Sequence, residues 1–132
     1  AEDLAHWRAV DLGCGVGRLL QAADPLVNSI IGIDVSSEAI ALANRFTALH
    51  PNVTCILGNG IDLSPLDDAS ADLVFTFGVL AHVPVVVCVS YLIEISRILR
   101  IGAAGRVQVF VGRSCPFTQS DVLAYRSYPA GR

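Results

Sequence analysis

The stretch Gly13-Cys14-Gly15-Val16-Gly17 places glycine at alternate positions directly after the apolar run Trp7 to Leu12. Glycines so spaced let the backbone turn sharply and approach another group with no Cβ in the way. Arg18 to Ala23 then reads as a helix closed near Asp24-Pro25. Strand, glycine loop and helix in that order make a cradle for a small molecule, because the helix start offers unpaired N–H groups. A tight turn that happens to be glycine-rich is the plain alternative.

The rest of the chain repeats the pattern. Ser29 to Asp34 is short and β-branched, and Ser36 can N-cap a helix whose apolar positions Ala39, Ile40, Ala43 and Phe46 recur at helical spacing. Val53 to Leu57 predicts a third strand, Asp72 to Phe77 a fourth and Arg106 to Val111 a fifth, with Leu92, Ile95, Ile98 and Leu99 marking the helix before the last. Such alternation predicts an α/β, doubly wound, mostly parallel sheet of about five strands with helices on both faces. In that architecture a ligand sits beyond the carboxyl ends of the strands, where strand order reverses, and the first strand borders that point.

Composition narrows the reading further. The 132 residues are 53% hydrophobic and 16% charged, which excludes intrinsic disorder and suits one core in one domain over 1–132. The chain starts at Ala1 with no Met, which reads as part of a longer protein. Its basic residues are all Arg, without a run or stripe, and the net charge is -3, so nucleic acid is not indicated as a partner. Cys14, Cys55, Cys88 and Cys115 form no C-x-x-C pair and His6, His50 and His82 are scattered, so no metal site is expected and a reducing cytoplasm is the simplest setting. Leu73 to Ile93 carries no Asp, Glu, Lys or Arg over 21 residues, the length of a membrane span. Gly78, His82 and Pro84 interrupt it, and strand, loop and amphipathic helix is the better reading.

Asp34 ends the second strand, 21 residues beyond Gly13. A carboxylate there can accept hydrogen bonds from both hydroxyls of a ribose, so loop and acid together point to a nucleoside-containing ligand. The dinucleotide pattern G-x-G-x-x-G needs glycine where this chain has Arg18, which disfavours NAD or FAD.

At this point Asp11-Leu-Gly-Cys-Gly-Val-Gly17 followed by Ile30-Ile-Gly-Ile-Asp-Val-Ser36 resembles the first two motifs of class I S-adenosylmethionine-dependent methyltransferases. Gly58-Asn59-Gly60, the stretch Asp72 to Val83, and Glu94 to Gly102 resemble the family's later motifs, in order, over about residues 7 to 111. The resemblance implies a Rossmann-like methyltransferase core, S-adenosylmethionine as cofactor and a small-molecule acceptor. It puts Gly13, Cys14, Gly15 and Gly17 in the cofactor loop, with Asp11 orienting the loop or meeting the cofactor ammonium. It assigns the ribose to Asp34 and the adenine to Val35, Asn59, Gly60 and Ile61, and it lines the methionine end with Thr76, Phe77 and Gly78.

Asn59 stands where the family usually has an acid, so an Asp there is expected to strengthen binding. Pro-Gly-Gly is replaced by Ile101-Gly102-Ala103, and the last 21 residues leave no room for a sixth and seventh strand. His82 is the titratable candidate for a general base, with a simple loop hydrogen bond as the bland reading. A Rossmann oxidoreductase and a truncated, non-catalytic cofactor-binding domain are the competing functions.

Overall fold

A computed structural model describes residues 3–109. Five parallel strands form one sheet: β1 (Arg8–Leu12), β2 (Ser29–Asp34), β3 (Val53–Leu57), β4 (Ala71–Thr76) and β5 (Leu99–Val107), in the order β3-β2-β1-β4-β5. The order reverses between β1 and β4, so the loop leaving β1 lies at the switch point, as the alternation of elements predicts.

Helices cover both faces. α1 (Arg18–Ala23) and α2 (Ser37–Phe46) supply Leu20 and Ile40 to a core that includes Ala9, Ile30 and Phe75. On the other side, α3 (Val85–Ile98) inserts Val87, Tyr91, Ile95 and Ile98 against Val10, Leu12, Ile33 and Val74. Alternate residues of one strand thus feed opposite cores, which explains why the strands are apolar throughout. Ser36 caps α2 through its hydroxyl, which accepts from the Ala39 amide at 3.1 Å. The charge-free stretch becomes β4, a 3-10 turn (Leu80–His82) and α3, and among the described residues no helix is long and apolar enough to cross a membrane.

The fifth strand departs from expectation. Predicted over Arg106 to Val111, it begins at Leu99, a residue expected on the preceding helix, and ends at Val107; residues 110 and 111 lie outside the described part. The register shows the cause. Leu99 pairs with Ala71 and Ala104 with Leu73, so β5 accommodates a bulge around Gly102, whose φ is +81°. Small residues and a glycine read as a turn in sequence, whereas pairing with β4 extends the ladder through them.

At the amino ends of the strands, Asp72 ties three of them together. Its Oδ2 accepts from the Arg8 amide at 2.8 Å and from Arg8 Nε at 2.9 Å, and Oδ1 accepts from Arg100 Nε. The Arg8 hydrogen bond, more than burial opposes it, holds the Asp72 carboxyl well below the usual carboxylate range.

Candidate functional site

The loop leaving β1 is pinned by the neighbouring strand. The amides of Gly13 and Cys14 both donate to the Ile33 carbonyl, at 2.7 and 3.0 Å, and the Gly15 amide donates to Asp34 Oδ2 at 2.8 Å. Gly13 and Gly15 have φ of +82° and +54°, a region that favours glycine. A Cβ on Gly13 would lie 2.0 Å from Val79 Cγ2, whereas one on Gly15 would meet nothing within 4 Å. Gly13 therefore accepts close packing from within the protein, and Gly15 leaves open space above the loop. Gly17 does a different job: it precedes α1 with φ +87° and packs near Ala43 of α2.

Beside this loop is a cavity of about 340 Å³ lined by Leu12, Gly13, Ile33, Asp34, Val35, Gly78, Val79, His82, Val83 and Tyr91. Four predicted cofactor residues, Gly13, Asp34, Val35 and Gly78, and the candidate base His82 meet there. Leu12, Ile33, Val79, Val83 and Tyr91 were not legible as site residues. Their apolar periodicity signals core, and nothing in sequence says that their exposed edges form a wall.

Asp34 Oδ1 accepts from the Ser36 amide at 2.9 Å, so each of its oxygens already receives one backbone donor. Each retains accepting capacity toward a ligand hydroxyl. Asp11 is 2% exposed and its Oδ2 has no hydrogen-bond partner. Burial first, and the Asp34 charge second, push its carboxyl up to about 7. The loop is held by Ile33 and Asp34, with no hydrogen bond from Asp11 among those observed. Cys14 is buried beneath the loop and its thiol is pushed up to about 12, mainly by burial, which leaves it a packing group at neutral pH.

The other predicted residues separate. Strand alternation turns Phe77 with Phe75 toward the α1 face, ring centroids 6.1 Å apart, where Phe77 lines a different groove with Leu19, Leu26 and Arg106. Thr76 is fully buried and its hydroxyl has no partner. Asn59 closes a tight loop: its Oδ1 accepts from the Ile61 and Asp62 amides at 2.8 and 3.0 Å, and its Nδ2 donates to Asp62 Oδ1 at 2.7 Å. The Ile61 amide is thereby engaged within the loop, and Asn59, Gly60 and Ile61 do not line the cavity. α3 positions this segment, since Ser90 Oγ donates to the Ile61 carbonyl at 2.7 Å and Arg97 donates to the Leu63 and Leu66 carbonyls. Among the described residues no group of His, Cys, Asp and Glu could hold a metal ion.

Comparison with known proteins gives the family and the fold. A family model described as a methyltransferase domain matches residues 10–105. The probable S-adenosylmethionine-dependent methyltransferase CRG1 of Saccharomyces cerevisiae is 34% identical over 70 residues, 51% of this chain and 24% of that protein. The structure of YcgJ from Bacillus subtilis superposes with TM-score 0.70 at 27% identity, covering 81% of this chain and 45% of that one. Phosphoethanolamine N-methyltransferase 1 of Haemonchus contortus, solved with phosphoethanolamine and S-adenosylhomocysteine, shares the fold with TM-score 0.72 at 21% identity over 81% of this chain and 23% of its own. The chain thus spans between about a quarter and a half of the length of these relatives.

Proposed function

The chain belongs to the class I S-adenosylmethionine-dependent methyltransferase family, and from that premise we propose that it binds the cofactor in the cavity beside the glycine loop and transfers the methyl group to a small-molecule acceptor. The observation that carries the reading is the cavity itself, where an open glycine loop and the Asp34 carboxylate meet at the strand-order switch. The residues present fit such a group. Space above Gly15, accepting capacity on Asp34 and an unpartnered buried carboxylate oxygen on Asp11 match a ligand with a ribose and an ammonium.

When bound, the cofactor supplies a methyl group on a sulfonium, a good leaving group. Asp34 would hold the ribose hydroxyls and Val35 would cover the adenine. Gly13 and Gly15 would let the backbone come close to the methionine part, and Asp11 would face the ammonium. Val79, Val83 and Tyr91 wall the cavity and would exclude water, so that positioning supplies much of the acceleration. His82, at the cavity edge, would take a proton from an acceptor that needs activation. A reducing, cytoplasmic setting belongs to the same reading, since the four cysteines form no C-x-x-C pair.

Calorimetry against S-adenosylmethionine, S-adenosylhomocysteine and NAD tests the reading. Binding of the first two is expected, and tighter binding of NAD would overturn it in favour of an oxidoreductase. Methyl transfer from labelled cofactor to a panel of small molecules, by wild type and His82→Ala, then tests turnover; binding without transfer to any acceptor would favour a non-catalytic domain.

A further inference from the structure

Gln108 carries the pairing of β4 with β5 one step past the end of β5. Thr76 of β4 pairs in register with Val107, and the Gln108 amide donates to the Thr76 carbonyl at 3.1 Å. In a continuing parallel ladder the Gly78 amide would next meet a main-chain carbonyl of the neighbouring strand. It donates instead to the side chain of Gln108, whose Oε1 accepts at 2.8 Å. One residue thus holds the end of β4 on both sides of Phe77, by its backbone at Thr76 and by its side chain at Gly78.

The second bond lies where the chain turns toward the cavity. Gly78 has φ +71°, and a Cβ there would meet nothing within 4 Å, so side-chain packing does not fix the course of the backbone at this point. Beyond it, Val79, His82 and Val83 join Gly78 in lining the cavity. Val79 also fills the space above Gly13, its Cγ2 2.0 Å from where a Cβ on that glycine would lie. The far end of this segment is anchored by Leu80 and Val83, both buried in the core, and the His82 amide closes the turn on the Val79 carbonyl at 2.9 Å. At the near end the Gly78 amide is held by Gln108.

We propose that Gln108 is a positioning residue for the cavity. It is not itself among the lining residues. By accepting from Gly78 it sets where Val79 stands between the loops that leave β1 and β4, and so the width open to a ligand beside Gly13. This rests on the cofactor assignment above and makes affinity for that ligand depend on an acceptor at position 108. Without the acceptor the Gly78 amide turns to water and the Gly78 to Val79 segment shifts, so that binding has to pay for putting the wall back in place.

Gln108→Met keeps the length of the side chain and removes the acceptor, whereas Gln108→Glu keeps an oxygen that can accept. Titration calorimetry with S-adenosylhomocysteine at moderate salt should show binding about fivefold weaker in Gln108→Met and within about twofold of wild type in Gln108→Glu. Wild-type affinity in Gln108→Met, whatever its melting midpoint, would reduce Gln108 to a structural role and overturn the proposal while leaving the cofactor assignment standing. Equal losses in the two variants would overturn it as well, since the acceptor would then not be what matters; no binding by the wild-type protein would take down both. Should Gln108→Met fail to fold, hydrogen exchange of the wild-type protein decides. The Gly78 amide should exchange at least about tenfold more slowly than an unstructured glycine amide, and more slowly still with ligand. Exchange at the unstructured rate, or a rate that the ligand leaves unchanged, would sink the proposal.

Discussion

Asp34 Oδ2 accepts the amide N–H of Gly15 at 2.8 Å, so the acid ending β2 and the middle glycine of the loop after β1 act as one unit. Replacing the acid therefore removes the expected ribose contacts and also releases the loop. Asp34→Ala should weaken S-adenosylhomocysteine binding by at least about 1–3 kcal/mol, the range for hydrogen bonds to a charged group. Asp34→Asn, which keeps one acceptor for Gly15, should lose less. Calorimetry on both variants, with folding checked by circular dichroism, ranks them; equal losses would separate the loop from the ribose role.

The two glycines of the loop should fail differently. In Gly13→Ala the new Cβ meets Val79 Cγ2 at 2.0 Å and adopts a left-handed φ, so crowding and strain together should cost about 2–4 kcal/mol of stability. Gly15→Ala has room and pays only the strain, about 1–2 kcal/mol. Gly15→Val should lose cofactor binding because its side chain fills the open space. Thermal melts give the first two, and Val79→Ala should recover part of the Gly13→Ala loss, an interaction that a double-mutant cycle measures.

Asn59→Asp now carries the opposite expectation from the one its family position suggests. The side-chain amide donates to Asp62 Oδ1 at 2.7 Å, and a carboxylate at 59 would replace that bond by repulsion. Asp62 is itself held below the usual carboxylate range, first by the Ser64 amide, so it is charged at neutral pH. Stability should fall by about 1 kcal/mol at low salt and recover partly as salt screens the pair. A gain in cofactor affinity, read by calorimetry, would return Asn59 to the adenine.

Asp11 should make the protein more stable in mild acid than in base. Its carboxyl rises from 3.8 unfolded to about 7 folded, so its stabilising contribution is complete below pH 4 and is lost as pH rises through 7. Asp11→Asn should therefore match wild type near pH 4 and exceed it above pH 8, by up to about 4 kcal/mol. Denaturant unfolding at several pH values reads the difference; a constant gap would show that the group does not titrate in this window.

Asp72 has the reverse sign. Its folded carboxyl is depressed by Arg8, so its contribution is present above the usual carboxylate range and fades as pH falls into acid. Asp72→Asn should cost about 1–3 kcal/mol at pH 7, with the gap to wild type narrowing in strong acid. Chemical denaturation across that range checks both statements.

Local pattern determined much of this protein. Apolar runs, glycine punctuation and the Ser36 cap suffice for β1 to β4, α1 and α2, because strand and helix periodicity and the cap's hydrogen bond are short-range properties. The glycine loop and Asp34 were legible for the same reason, since their spacing reports a turn at a strand end. Only the tertiary structure decided the rest. Pairing with β4 drew Leu99 to Val107 into a bulged strand, and alternation about the sheet sent Phe77 away from the cavity while Val79, Val83 and Tyr91 came to wall it. The unequal pair Asp11 and Asp34 belongs to that second class: of two acids 23 residues apart, folding gives backbone donors to one and leaves an oxygen of the other buried without a partner.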